Sequence, residues 1–330
     1  MSRTPTATIV IPVKNGAEHI ATTLASLGRQ FADPYDLEVV VIDDGSTDAT
    51  LTLVADAGQV LPQLVVEHWD VSRGVGAGRV RGLELATGTF VGFIDGDDWF
   101  ADRRLETLVG ALQTLDVDFV RTDHVKADGV NRTLHRAPQG RRNVALNPRD
   151  SILPVAGSSM VDYPFPPAGM FHRRMLEQGT LAYDAELRTA EDRVAAWRFH
   201  LKADSFAVVD APAMFYRRGI ASSLTQIYDS RQLDFVRAFE LIHDLLKPDP
   251  EYTTYVPKLI RQFFAIADHH ARRAAGMDRR TKQHLAQLVG GFVDLLPAAM
   301  VQAVWEGNDL RRQLRLSAYT GLSVREGVAL

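Results

Sequence analysis

Residues 37–48 read Leu-Glu-Val-Val-Val-Ile-Asp-Asp-Gly-Ser-Thr-Asp. A nearly unbroken apolar run that halts on two carboxylates and a glycine is the pattern of a strand buried on both faces, its polar end meeting solvent. Upstream, Ala7 to Val13 repeats the pattern and ends in Lys14-Asn15-Gly16. Downstream, Leu64 to His68 forms a third such run, and Thr89 to Ile94 a fourth that leads into Asp95-Gly96-Asp97-Asp98. Helical spacing fills the intervals. Ile20, Leu24 and Leu27 share a face within 17–31; Leu51, Leu53 and Val54 point inward after Ser46 or Thr47, either of which suits a helix cap; and 78–86 is helical. Strands alternating with helices predict an α/β fold with a mostly parallel sheet covered on both faces. Ligands bind such sheets beyond the carboxyl ends of the strands. Those ends carry Lys14-Asn15, Asp43-Asp44 and Asp95 to Asp98, so three polar clusters converge on one rim.

Farther out the pattern loosens. A helix is expected over 104–115 and a strand over 119–122; the polar stretch 126–149 fits two hairpin strands or a mobile loop. Tyr163 to Pro167 marks a rigid turn, 190–201 a helix, and 206–209 and 213–216 short strands. From Ser230 onward helical spacing dominates, broken at Pro248-Asp249-Pro250, Gly276, Gly290-Gly291 and Gly307. The expected organisation is an α/β domain over 1–229, with halves 1–105 and 106–229, and a helical C-terminal region over 230–330. A chain of 330 residues with 46% hydrophobic residues can bury cores of that size. Its net charge of −4 argues against a general nucleic-acid binder. The lack of cysteine excludes disulfides, zinc–thiolate sites and thiol nucleophiles, and suits a cytoplasmic protein. Residues 1–13 lack a secretory pattern. The apolar stretch 288–305 is interrupted by Asp294 and Pro297, which favours a core or interface helix over a membrane span. Peripheral contact with the inner face of the membrane stays open. The apolar C-terminal helices exceed what the first domain needs, and imply homo-oligomerisation or docking to a polymer or membrane.

Carboxylates as close as Asp95, Asp97 and Asp98 repel one another unless a cation or a hydrogen-bond network sits among them. Mg²⁺ or Mn²⁺ prefers such oxygen ligands, completed by phosphate oxygens and water. A solvated acidic turn capping the next helix is the plainer alternative. Arg73, Arg79 and Arg81 flank the glycine-rich segment 74–82, and an arginine fork suits phosphate. The G-x-G-x-G spacing does not make a dinucleotide fingerprint, because positions 79 and 81 are arginine. His124 and His172 are candidates near metal or sugar, with structural roles as the alternative; Trp99 and Phe100 either wall a pocket or pack the helix.

Taken in order, Ile9 to Gly16, Val41 to Asp48, Gly74 to Gly82 and Phe93 to Asp98 resemble the signatures of family 2 glycosyltransferases, across roughly residues 7 to 105. Tyr183 to Trp197, with Glu191-Asp192, resembles the family's downstream acidic motif, and Tyr216-Arg217-Arg218 with Ser222-Ser223-Leu224-Thr225 its closing segment. The resemblance implies a GT-A fold that binds a UDP-sugar, with Pro12, Val13, Lys14, Asn15 and one of Asp43 and Asp44 at the nucleotide. It further implies Arg73, Arg79, Asp95, Gly96, Arg217 and Arg218 along the sugar diphosphate, and Asp97 with Asp95 on Mg²⁺ or Mn²⁺. Asp192 is then the general base for an acceptor hydroxyl and Glu191 its partner, as an inverting single displacement requires. A helix start with acids near its positive end would look the same locally. Val80 departs from the family's Arg-Asn pair at 79–80. The C-terminal region resembles extensions on glycosyltransferases that decorate cell-wall polymers such as teichoic acids, so a glycan or polymer acceptor is expected. The rival functions are nucleotidyl transfer on a related fold and a non-catalytic assembly protein that keeps the pocket.

Overall fold

The computed structural model describes residues 4–220 and 228–324. Strand β1 (Ala7–Val13) is buried at every position, as is β2 (Leu37–Asp43). They pair in parallel, from Ala7 opposite Leu37 to Val13 opposite Asp43, so both polar ends emerge together. On the far side of β2 lies β3 (Leu64–His68), and beside β1 lies β4 (Phe90–Phe93), both parallel to their neighbours. These are the four strands expected from the alternation. The sheet continues with β6 (Phe119–Arg121), β9 (Gly169–His172) and β10 (Phe206–Val208) in the order β10-β6-β9-β4-β1-β2-β3. Only β9 runs antiparallel to its partners.

The flanking helices are α1 (Ile20–Leu27), α2 (Thr50–Asp56), α3 (Val75–Leu85), α4 (Arg104–Leu115), the short α5 (Arg174–Glu177) and α6 (Glu191–Lys202). Side-chain alternation splits the interior into two cores. Ile9 and Ile11 join Leu24, Leu27 and Leu108 on one face of the sheet, while Val10 joins Phe93, Phe119, Phe171 and Phe199 on the other. Helix α2 starts at Thr50, later than a Ser46 or Thr47 cap would put it. Ser46 is spent elsewhere: its hydroxyl donates to Asp43 and accepts from the Asn15 N–H. The stretch 126–149, open between hairpin and loop, contains a hairpin of β7 (His124–Asp128) and β8 (Asn131–His135). It joins β5 (Trp99–Phe100) and β11 (Met214–Arg217) in a second, four-stranded sheet of order β5-β11-β7-β8, which the sequence reading did not foresee.

The chain divides into two compact units, Met1–Ser151 with Ser159–Ala221, and Ile152–Ser158 with Ser222–Leu330. The second unit contains α7 (Asp234–Leu246), α8 (Tyr252–Arg273), α9 (Arg279–Asp294), α10 (Ala298–Glu306) and α11 (Leu310–Thr320). Phe263 sits at its centre, its ring 5.4 Å from Phe239 and 4.4 Å from Phe292. Buried Lys258 donates to the carbonyls of Pro154 (2.9 Å) and Gly157 (3.0 Å), which ties 152–158 to the helices. Among the described residues no single helix is long and apolar enough to cross a membrane.

Candidate active site

The rim is built by hydrogen bonds between strand ends. Asn15, in the left-handed region at φ 49°, donates its N–H to Ser46 (2.8 Å) and accepts the Thr47 N–H on its side chain (2.8 Å). Asp43 is fully buried and accepts from the Ser46 N–H, the Ser46 hydroxyl and His68 Nδ1 (2.6 Å). Asp44 accepts from the Ser72 hydroxyl (2.6 Å) and the N–H groups of Arg73 (2.5 Å) and Gly74 (3.1 Å). Both carboxylates therefore shape loops that line the rim. Pro12 and Val13 are buried and set the packing distance to Gly78 and Gly96, where an added Cβ would come within 3.1 Å of Pro12 and 2.7 Å of Val13. Lys14 is exposed at the rim. Arg73 is exposed as well, its guanidinium stacked 4.6 Å from the Trp69 ring centroid.

Helix α3 explains the glycine-rich segment. A Cβ on Gly82 would lie 2.1 Å from Val10 Cγ1, and one on Gly76 only 2.5 Å from the Leu187 carbonyl. These glycines let α3 approach β1 and the 184–187 loop closely. Arg79, expected along the sugar diphosphate, points inside: it is 4% exposed. One terminal nitrogen bonds Glu191 and the other bonds Asp95 (3.0 Å), with the Tyr183 ring 5.4 Å away. With both ends engaged, this arginine is a brace between two acidic segments and not a free phosphate clamp. Val80, where the family pattern has asparagine, packs against the second core.

In the acidic turn the four residues divide their tasks. Thr23 Oγ1 holds the carbonyls of Gly96 (3.0 Å) and Asp98 (2.7 Å). Asp98 is fully buried, accepts the Arg217 N–H (2.8 Å) on one oxygen, and among the described residues has no partner on the other. Burial, with Asp95 and Asp97 nearby, keeps its carboxyl far above the usual range. Asp97 is half-buried; burial and then the Asp95 charge push it up to about 6. Arg217 fastens the turn through its Nε to the Asp97 carbonyl (2.8 Å) and stacks 4.6 Å from Trp99, whose ring also stacks on Phe215 at 4.9 Å and has the Arg132 guanidinium 5.8 Å away. Arg218 is exposed just beyond. Ser222 to Thr225 lie outside the described residues.

At the start of α6, Glu191 is 5% exposed and Asp192 half-buried. Burial raises both carboxyls above their ordinary values, against the lowering pull of Arg79 on Glu191 and of Arg193 and Arg79 on Asp192. Among the described residues no three acidic or histidine side chains cluster as a closed metal cage. Asp97 and Asp95 are the carboxylates that could hold a hard cation, which would draw the rest of its shell from phosphate and water. The two histidines are engaged by other groups. His124 Nδ1 bonds the Tyr163 hydroxyl, and His172 accepts the Arg174 N–H (3.1 Å).

The glycosyl transferase family 2 pattern matches residues 8–179, slightly more than half of the chain. The chain belongs to glycosyl transferase family 2. Its similarity to poly(ribitol-phosphate) beta-N-acetylglucosaminyltransferase TarS of Staphylococcus aureus is 29% identity over 247 residues, 74% of this chain and 41% of TarS. The chain thus spans well under half the length of that relative. EpsH of Bacillus subtilis, a putative glycosyltransferase, is 27% identical over 69% of this chain and 65% of its own length. Among solved structures, TarS residues 1–349 with UDP-GlcNAc superposes with a TM-score of 0.74 at 21% identity, covering 94% of this chain and 86% of that one. A Pyrobaculum calidifontis mannosyltransferase with GDP-Man and Mn²⁺ gives 0.53 at 18% identity, over 97% and 87%. The GT-A fold is shared with both. What the family motifs alone did not reveal is the brace: Arg79 carries no mark in the sequence that separates a phosphate ligand from a buried counter-ion.

Proposed function

We propose that the chain is an inverting glycosyltransferase that moves a sugar from a UDP-sugar to a hydroxyl of a glycan or polymer, with Asp192 as general base. The observation that carries this reading is the Arg79 brace. One guanidinium grips Asp95 of the acidic turn and Glu191 at the head of α6, so the proposed base sits next in sequence to a residue tethered to the donor-binding turn. Asp192 takes the acceptor hydroxyl proton while the acceptor oxygen bonds the anomeric carbon and the bond from that carbon to the diphosphate oxygen breaks. UDP leaves, and the configuration inverts in one displacement. Burial suits Asp192 to the task, because a raised pKa makes its carboxylate a better proton acceptor.

Asp97 and Asp95 would hold Mg²⁺ or Mn²⁺, which when bound stabilises the negative charge gathering on the departing diphosphate. Arg73 and Lys14, both exposed, would meet the nucleotide's phosphates. Residues 1–229 serve as the catalytic domain, with 1–105 toward the donor and 106–229 toward the acceptor, and 230–330 as a helical region for acceptor docking or assembly. TarS, by its name, acts on poly(ribitol-phosphate), which supports a polymer acceptor here. The test is UDP release from a panel of UDP-sugars with Mn²⁺, with and without acceptor. Asp97→Asn and Asp192→Asn should each lower transfer by at least a hundredfold while the unfolding midpoint holds. Pyrophosphate as the released product, or wild-type turnover in either variant, would defeat the assignment.

A further inference from the structure

The four-stranded sheet carries charge that the transfer reaction leaves unused. Tyr216 of β11 pairs with Lys126 of β7, and Lys126 with Thr133 of β8. Pleat alternation puts these three on one face, together with His124 and His135, which pair two positions away with their rings 5.2 Å apart. Arg218 follows β11 directly. Its N–H donates to the Ala127 carbonyl (2.8 Å) and its guanidinium to the Tyr216 hydroxyl (3.1 Å). Among the described residues neither Lys126 nor Arg218 has a carboxylate within ion-pair distance. Asp128, on the same strand as Lys126, is exposed and reaches neither.

Two cations on one face, one of them half-buried, repel each other and forgo hydration. Burial and the Arg218 charge accordingly hold the Lys126 ammonium below the usual lysine range. An anion with several acceptor oxygens offsets that cost, since a guanidinium fork and an ammonium together match a phosphate. The face also lies beside the acidic turn, because Arg217, the next residue of β11 after Tyr216, donates its N–H to Asp98 (2.8 Å). The loops on Asp43 and Asp44, with exposed Arg73, lie in 1–105, whereas Lys126 and Arg218 lie in the half of the domain assigned to the acceptor.

Resting on the glycosyl-transfer reading, we infer that Lys126 and Arg218 form a phosphate-binding subsite for the acceptor, which is therefore a phosphodiester-bearing polyol or glycan. A five-unit ribitol phosphate oligomer serves as the probe. The full chain, with and without saturating UDP and Mn²⁺, is titrated with the oligomer by calorimetry, and with neutral ribitol as control. The oligomer should bind in both states and ribitol in neither. Lys126→Met, which keeps the aliphatic stem, should raise the oligomer Kd at least tenfold, and Lys126→Arg should restore it to within threefold. The UDP Kd of Lys126→Met should stay within twofold, which also reports its folding. Arg218→Gln, at an exposed position, should weaken oligomer binding to a similar extent with an unchanged unfolding midpoint. Loss of oligomer binding on adding UDP would place the cations in the donor site and overturn the inference. An unchanged Kd in both variants, or no oligomer binding by the wild type, would overturn it too. A wild type that binds oligomer but neither binds UDP nor releases it from UDP-sugars would sink the transfer reading and leave the phosphate subsite standing.

Discussion

At Arg79 two carboxylates from distant parts of the chain, Asp95 sixteen residues on and Glu191 another ninety-six beyond, meet one side chain. Breaking a buried ion pair by removing one partner costs about 3–5 kcal/mol, because the remaining charge stays desolvated. Arg79→Ala should therefore lower unfolding stability by about that amount in urea titrations. It should also depress kcat more than donor KM, since the base loses its tether. Arg79→Lys, a point charge with no fork, should hold only one carboxylate and fall between. Asp192 gives a second expectation at this scale. Its working form is the carboxylate, and burial raises its pKa, so log kcat should fall with unit slope on an acid limb whose midpoint lies above the ordinary aspartate value. Arg193 is the largest lowering influence on that carboxyl, and Arg193→Ala should move the midpoint further up. A limb unmoved by this change would remove Asp192 from the role of base. The acids at 95, 97, 191 and 192 were legible as a set from their motifs. The brace was not, because a sequence shows which residues carry charge and not which pairs share a desolvated pocket.

Helix α3 shows what an element adds. Gly76, Gly78 and Gly82 read in sequence only as a glycine-rich segment, compatible with a phosphate loop. In the fold Gly82 faces Val10 and Gly78 faces Pro12, so these glycines set the distance between helix and sheet. Gly82→Ala gains about 1 kcal/mol of helix propensity, but its Cβ would lie 2.1 Å from Val10 Cγ1. Overpacking of that kind costs about 1–3 kcal/mol, so a net loss is expected. In the double variant Val10→Ala/Gly82→Ala the 2.1 Å approach to Cγ1 is gone and only the 3.1 Å approach to the Cβ of residue 10 remains, so the measured loss should be smaller than the sum of the single ones. Simple additivity would show that the two residues do not press on each other. The β7–β8 hairpin teaches the same lesson from the other side. Its polar alternation permitted strands, yet only pairing with β11, some ninety residues later, makes it part of a sheet.

For the molecule as a whole, acid stability rests on histidines held neutral inside. His200 donates from Nδ1 to the Ala196 carbonyl (2.7 Å), and its other nitrogen is buried without a partner among the described residues. Burial pushes it down to about 3, as it does His124. The unfolded chain protonates histidine near 6.5, so below that pH the unfolded state binds more protons. Stability is then complete above about pH 6.5 and lost on acidification toward pH 3, by up to ~1.4 kcal/mol per pH unit for each histidine. Urea midpoints at pH 7 and 5 should show the fall, and His200→Gln should flatten it; an equal slope in that variant would refute the account. The sequence by itself determined the parallel α/β core, the rim where polar clusters meet, the family and the acidic motifs, because buried strands and turn residues leave local, periodic marks. The tertiary structure alone decided that Arg79 is a brace, that Asp43 and Asp44 hold loops, that 152–158 belongs with the helices through Lys258, and that Lys126 and Arg218 both neighbour Tyr216. Each of those depends on burial and on contacts between segments far apart in the chain, where no local pattern records the partner.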